Sequence, residues 1–321
     1  MKLITFESGA EDRVGALKGD FVVDLGLAIN SLRSGTLGFE PRPELQKAVN
    51  TVLAEGASPR HMIDLLERGE AWRRALEEIL EAVTSSQEPS RFPRGVFMSL
   101  NQVRLRAPLR RPGKIVCVGL NYESHRVEQG IKTPARPVFF LKSSNTICGP
   151  GDAIALPPNS TAVDYEAEFA VVIGKRGKGI PEEEVFEHIA GYTILNDVSA
   201  RDMQFADGQW FRGKSCDTFG PTGPWIVTAD EIPDPHRLRI SLTLNGQTMQ
   251  DSTTGDLIFK IPFLVSYLSQ SLTWEAGDLL STGTAGGVGH YHKPPVYLQP
   301  GDTVSVTVEG IGTLTNRVVG P

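Results

Sequence analysis

The segment Asp164-Tyr165-Glu166-Ala167-Glu168-Phe169 carries carboxylates at alternate positions. Alternation along a strand turns Asp164, Glu166 and Glu168 to one face and Tyr165, Ala167 and Phe169 to the other. Like charges side by side repel unless a cation or water separates them. The plain reading is a solvated strand face. The run leads straight into the apolar residues 169–173, however, so part of the acidic face points inward, where like charges call for a metal ion. Asp197, closing the apolar run 191–196, offers a third oxygen ligand or is simply a turn residue. Asp202 can instead pair with Arg201 or cap a turn. An all-oxygen trio suits Mg²⁺, Mn²⁺ or Ca²⁺ rather than zinc, and on Mg²⁺ it leaves about three of six positions for substrate and water.

A second constellation lies in Gly119-Leu120-Asn121-Tyr122-Glu123-Ser124-His125-Arg126-Val127-Glu128. A strand end leads into a short helix with His125 and Glu128 on one face. A carboxylate beside an imidazole orients it and raises its basicity, which suits a base that activates water or removes a C–H proton. A surface ion pair is the plainer alternative. Lys142, after residues 137–141, and Lys214, in Arg212-Gly213-Lys214-Ser215, are candidate cations for a substrate carboxylate or a developing oxyanion. The glycine-rich residues 283–289 match neither nucleotide-binding glycine pattern. Their backbone N–H groups are expected to approach an anionic substrate. His290 and His292 read as loop packing.

The elements that must position these groups fall into two blocks. Residues 1–25 read as two or three short strands with turns at Gly15 and Gly19, and residues 43–56 and 58–84 read as helices. In the second helix Leu65, Leu66, Trp72, Leu76, Ile79, Leu80 and Val83 recur at helical spacing. Residues 93–113, with one short strand, link a small N-terminal α+β domain (1–105) to a catalytic domain (106–321). From Lys114 onward apolar runs alternate with Pro, Gly, Asn and Asp, and helices are expected over 181–190 and 259–272.

Composition narrows the function. The 321 residues are 40% hydrophobic and 22% charged, ordinary globular values that exclude disorder and a coiled coil. With 33 glycines and 22 prolines the chain turns often, which fits a β-rich fold. A net charge of −6 without a basic cluster argues against nucleic acid. No apolar run approaches the ~18–20 residues that cross a bilayer, so no membrane partner is expected. Cys117, Cys148 and Cys216 are odd in number and form no CxxC, which disfavours a disulfide framework or a thiolate zinc site. Glu7, Glu11 and Asp12 stand where a signal peptide has its apolar core, and acids do not suit a mitochondrial transit peptide. A cytoplasmic location is therefore expected.

From about Lys114 to Val319 the chain resembles the fumarylacetoacetate hydrolase (FAH) family. The likeness runs through GLNYESHRVE, PVFFLK, DYEAEFAVVIGKRGKGI, NDVSARDMQ, WFRGKSCDTFGPTGP, LNGQTMQDSTT and STGTAGGVG. NDVSARD, the GKSCDTF segment and GVG followed by KPPV resemble most nearly the subgroup called fumarylacetoacetate hydrolase domain-containing protein 2. The resemblance implies an α+β, β-rich fold, a mixed β-sandwich roll, assembled as a homodimer. It implies Mg²⁺ or Mn²⁺ held by Glu166, Glu168 and Asp197, a lid dyad of His125 and Glu128, and Lys214 in contact with substrate. Arg201 and Gln204 match the arginine and glutamine of ARDxQ, Thr284 the loop threonine, and Lys142 the lysine after P-V-x-F-x. Cys216-Asp217 stands where many hydrolytic members carry Phe-Gly, a change in the substrate wall.

The expected activity is cleavage of a C–C bond in a small 2,4-dioxo acid of the acylpyruvate or fumarylpyruvate type. The substrate's carboxylate and 2-oxo oxygens would chelate the metal, His125–Glu128 would activate water, Lys214 would stabilise the oxyanion, and an enolate would leave on the metal. Oxaloacetate tautomerase or decarboxylase action uses the same parts, as does isomerisation of 2-hydroxyhepta-2,4-diene-1,7-dioate in aromatic breakdown. A non-catalytic binding module is the remote alternative, and the presence of His125 with all three carboxylates counts against it.

Overall fold

The computed structural model describes residues 1–34, 43, 47, 50, 51, 61–85 and 93–321. The chain opens with a meander of β1 (Lys2–Ser8), β2 (Glu11–Lys18) and β3 (Phe21–Asp24), turned at Gly9 and Gly19, both at positive φ. Gly15, expected as a turn, instead sits inside β2. A side chain there would come within 2.9 Å of the Phe6 ring and of the Val23 carbonyl oxygen, so glycine serves strand packing. Helix α1 (Leu25–Arg33) follows. The helix expected over 43–56 falls for the most part outside the described residues. The one expected over 58–84 is two helices, α2 (Met62–Leu66) and α3 (Gly69–Ser85), because Gly69 takes φ +71° and interrupts the helical hydrogen bonding. Two short strands, β4 (Phe97–Ser99) and β5 (Arg104–Arg106), then pair with β3 and β1.

Beyond them come β6 (Ile115–Gly119), β7 (Val138–Lys142), β8 (Ile147–Cys148), β9 (Ala153–Ala155), β10 (Val163–Asp164) and β11 (Ala167–Ile173). They are followed by β12 (Ile189–Asn196), β13 (Ser199–Ala200), β14 (Gly220–Thr228), β15 (Arg239–Leu244) and β16 (Gln247–Thr253). The last strands are β17 (Leu279–Thr284), β18 (Thr303–Val308) and β19 (Gly312–Val319). The large sheet runs β4-β3-β2-β1-β14-β12-β11-β17-β6-β7, and a second sheet runs β16-β15-β18-β19-β9. Lys2 lies opposite Val227 and Leu3 opposite Ile226, so the N-terminal meander extends the same sheet that contains β11 and β12.

All seven residues of β11 are buried. Phe169, Val171 and Ile173 pack with Ile240, Leu242, Val304 and Val306 of the second sheet. Ala170 and Val172, pointing the other way, join Trp72, Leu76 and Ile79 of α3. A strand covered on both faces reads as an unbroken apolar run, as residues 169–173 do. Each large side chain buried there contributes roughly 1.5–3 kcal/mol. The fold is thus the β-rich α+β class expected, with the two ends of β11 and β12 meeting at one edge of a dry core.

Four helices stand over that edge and beyond: α4 (Glu123–Glu128), α5 (Arg201–Ala206), α6 (Phe211–Lys214) and α7 (Ile261–Ser269). The last matches the helix expected over 259–272, while 181–190 holds a 3₁₀ stretch, Glu182–His188, led by Pro181. Among the described residues no helix is long and apolar enough to cross a membrane. Cys117, Cys148 and Cys216 are all free.

Candidate active site

β11 and β12 pair antiparallel with Ala167 opposite Asn196 and Glu168 opposite Leu195, and the Asp197 N–H donates to the Glu166 carbonyl at 2.9 Å. That register sets Glu166, Glu168 and Asp197 side by side, with one carboxylate oxygen from each within 4.8 Å of the others. All three are buried. Asp164 does not join them, although simple alternation puts it on their face. The chain leaves strand geometry at Tyr165-Glu166, between β10 and β11, and the Asp164 carboxylate turns to other donors. It accepts from Arg201 Nε (2.8 Å), the Gly289 N–H (2.8 Å) and the His290 N–H (3.0 Å).

Cations thread this acidic cluster. Lys214 Nζ donates to Glu166 (2.7 Å) and to Asp197 (2.8 Å), and Arg201 Nη2 lies 2.7 Å from Glu166. Lys142 Nζ, wholly buried, donates to the other Asp197 oxygen at 2.6 Å and to the carbonyls of Val198 and Lys214. Lys142 therefore holds Asp197 from behind; expected to meet substrate, it is absent from the cavity lining. Burial pushes the Glu166 carboxyl up, but Lys214 and Arg201 together outweigh it and hold it down at about 2. Lys214 stays charged because Asp197 and Glu166 overcome its own desolvation.

Glu168 differs. It accepts from the Ser281 hydroxyl and the Gly283 N–H (3.0 Å) but has no ion pair among the described residues. Burial first, then the Asp197 and Glu166 charges, push its carboxyl well above the usual range. An excess of buried negative charge at a convergence of carboxylate oxygens is what a hard divalent cation neutralises, so the donor set fits such an ion. A pH effect follows. A carboxyl raised in the folded state is destabilising once ionised, so the metal-free protein loses stability as pH climbs above the ordinary Glu value of 4.5. The lowered Glu166 contributes the opposite slope only below 4.5. In chelated protein the melting temperature is expected to fall on the alkaline side of that value, and Glu168→Gln to abolish the fall. A variant with an unchanged profile would show that Glu168 is not the group responsible.

Over the carboxylates stands α4. His125 Nδ1 lies 3.0 Å from Glu128 Oε2, and the other Glu128 oxygen accepts the Gly287 N–H at 2.9 Å. Asp256 receives the Ser124 N–H (3.0 Å) near the start of this short helix, and the Ser124 hydroxyl oxygen accepts the Gly286 N–H (3.2 Å). The glycine-rich loop was expected to aim its N–H groups at substrate. Instead the N–H groups of Gly283, Gly286, Gly287 and Gly289 go to Glu168, Ser124, Glu128 and Asp164, fastening the site's own side chains. His290 bonds the Tyr297 hydroxyl (2.8 Å) and His292 the Gly287 carbonyl (3.2 Å), which makes both part of loop packing.

Arg201 Nη1 donates to Gln204 Oε1 at 3.1 Å. Thr284 donates to the Ala167 carbonyl (3.0 Å) and accepts from Gln250 (2.8 Å). The cavity these groups enclose has about 60 Å³ of free space and is lined by His125, Glu166, Glu168, Arg201, Lys214 and Thr284 among others. Several contributors escaped the sequence reading. Gln129 Nε2 sits 2.7 Å from His125 Nε2, and i+4 spacing on α4 is the signal that points to it. Gln250 accepts the Ala167 N–H (2.9 Å) and donates to the Ala285 carbonyl (2.8 Å), tying β11 to the loop. Tyr291 meets the His125 ring edge-on at 5.9 Å. Gln250 lies in the LNGQTMQDSTT segment that carries the family likeness, whereas no local pattern marks Tyr291.

Gly213 explains how α6 reaches the site. A Cβ there would lie 2.6 Å from the Gln204 backbone nitrogen and 2.7 Å from the Ala200 carbonyl oxygen. Gly213→Ala must push α6, with Lys214, off α5. It is expected to cost about 1–3 kcal/mol and to lower kcat/KM together with the melting temperature. A variant with wild-type kinetics and melting would refute the close approach.

Residues 114–319 match the family model described as fumarylacetoacetate (FAA) hydrolase C-terminal. The chain is 46% identical over 268 residues to a rat (Rattus norvegicus) mitochondrial oxaloacetate tautomerase, an alignment spanning 82% of this chain and 81% of that one. A fumarylacetoacetate hydrolase from the psychrophile Exiguobacterium antarcticum superposes with a TM-score of 0.78 at 32% identity, covering all of both chains. A 2-hydroxyhepta-2,4-diene-1,7-dioate isomerase from Mycobacterium marinum does so with a TM-score of 0.70 at 33% identity, covering 100% of this chain and 98% of that one. The cytoplasmic location expected from the acid-bearing first residues is overturned here: the rat relative and its bovine and human counterparts are mitochondrial by name.

Proposed function

The chain belongs to the fumarylacetoacetate hydrolase family, and from that premise we propose that it interconverts the keto and enol forms of a short 2-oxo diacid, oxaloacetate, with Mg²⁺ or Mn²⁺ bound. The observation that carries this is the 46% identity, over four fifths of the chain, to an oxaloacetate tautomerase. It replaces the C–C hydrolase reading as the leading one, since that relative is a tautomerase and a structural neighbour is an isomerase. The family and the acidic triad are common to both.

A divalent ion held by Glu166, Glu168 and Asp197 would polarise the 2-oxo group as a Lewis acid. The chain's own residues do the rest. With its Nδ1 proton directed at Glu128, His125 presents Nε2 as the base that takes a proton from carbon 3 and returns it to the 2-oxygen. No other reactant is consumed. Glu128 stabilises the imidazolium formed between the two transfers. Gln129, whose amide meets Nε2 at 2.7 Å, yields that position as substrate enters. Arg201 and Lys214 supply positive charge for a dianionic substrate and for the oxygen that gains charge at the enolate stage.

Metal-loaded protein should accelerate the decay of the oxaloacetate enol absorbance without releasing CO₂. Pyruvate release from acetylpyruvate, dependent on His125, would restore the hydrolase reading, which the same dyad supports through water activation. Inert behaviour toward both acids would sink both readings. A homodimer is proposed as well. It is supported by β7, which ends the large sheet with Val138 and Leu141 exposed at 37% and 51% and Phe211 at 54%.

A further inference from the structure

One wall of the cavity has no part in proton transfer. Lys214 donates its backbone N–H to the Trp210 carbonyl at 3.0 Å, so the indole and the lysine leave the same face of one helical turn. Trp210 meets the Phe140 ring edge-on, with centroids 5.3 Å apart at 70°, and Lys214 Nζ lies 5.0 Å from the Phe140 centroid. Going outward from the carboxylates the order is therefore Lys214, Phe140, Trp210. Exposure rises the same way, from buried lysine to half-buried indole. The indole can take this seat only because residue 119, at the end of β6, is glycine: a Cβ there would come within 2.5 Å of the ring.

The free space inside this wall is about 60 Å³. A substrate whose 2-oxo acid end meets the buried carboxylates and Lys214 has to run each further methylene outward along Phe140 and Trp210. We propose that Trp210, seated on Gly119, sets the chain-length limit of this site and confines it to 2-oxo acids of four or five carbons. The inference rests on the oxo-acid reading for the head group, while the length limit follows from the wall itself.

The test is a ladder of acids titrated calorimetrically into Mn²⁺-loaded protein: oxalate, 2-oxoglutarate, 2-oxoadipate and 2-oxopimelate. Misfit of one methylene against a fixed wall weakens binding by about 10–200-fold. The wild-type protein is therefore expected to lose at least about tenfold in affinity between the five- and seven-carbon acids. Trp210→Ala should bring the seven-carbon acid to within a few-fold of the five-carbon one, with oxalate unchanged. Gly119→Ala, which unseats the indole without removing it, should move the cutoff as well. Phe211→Ala, an exposed neighbour outside the lining, should not. A wild-type protein without a cutoff, or a cutoff unmoved in Trp210→Ala, overturns the proposal, and failure of every acid to bind overturns it together with the functional reading. Oxaloacetate turnover measured alongside separates the two ideas: a clear cutoff without tautomerisation defeats the activity and leaves the wall standing.

Discussion

Asp197→Ala is expected to abolish divalent-ion binding and turnover together and to destabilise the metal-free protein by about 3–5 kcal/mol. Asp197 is fully buried, with Lys142 at 2.6 Å on one oxygen and Lys214 at 2.8 Å on the other. Removing the carboxylate leaves Lys214 with Glu166 but strips Lys142 of its only ion-pair partner among the described residues, in a place water does not reach. The energy lost is chiefly the cost of that orphaned ammonium, so Asp197→Ala combined with Lys142→Met should recover most of the stability and none of the metal binding. The readout is the melting temperature with and without Mn²⁺, because an ion that binds only the folded state raises it with concentration. A single variant that kept both the Mn²⁺-induced rise and full turnover would show that the ion is held elsewhere.

The convergence of Glu166, Glu168 and Asp197 is legible in the sequence because each acid abuts an apolar run that has to be a buried strand. Two strands ending in acids, once paired, must put those acids together. Alternation alone misplaces Asp164, because a two-residue break at Tyr165-Glu166 resets which way side chains point. Helices α5 and α6 leave no trace in periodicity, since six and four residues are too short to repeat a 3.6-residue pattern. Lys142 shows the further limit: sequence reports a cation after an apolar strand, and only the tertiary pairing decides whether it faces substrate or the back of Asp197. The glycine-rich loop is the same case, because its composition announces close backbone approach without saying to what. Location failed for a different reason. Glu7 stands in β1 and Glu11 and Asp12 in β2, strands whose Leu3, Ile4, Phe6 and Val14 are buried, so these acids reflect strand chemistry and say nothing of location.

His125→Ala is expected to lower kcat/KM for oxaloacetate enolisation by about 10²–10⁴-fold while leaving the Mn²⁺-induced rise in melting temperature intact. The two effects part because His125 contributes no oxygen to the carboxylate cluster and is tied instead to α4 and the loop, through Glu128 to the Gly287 N–H. Glu128→Gln should fall between wild type and His125→Ala. The amide can still accept from His125 Nδ1 at 3.0 Å, but it no longer carries the charge that stabilises the imidazolium. Loss of Mn²⁺ stabilisation in His125→Ala would mean that the imidazole braces the ligands, with catalysis lost through them. Wild-type turnover would mean that the proton moves through another group. The same variant decides between the two chemistries: if acetylpyruvate cleavage disappears with it while oxaloacetate enolisation persists, the dyad activates water, and if only enolisation disappears, it carries protons between carbon and oxygen.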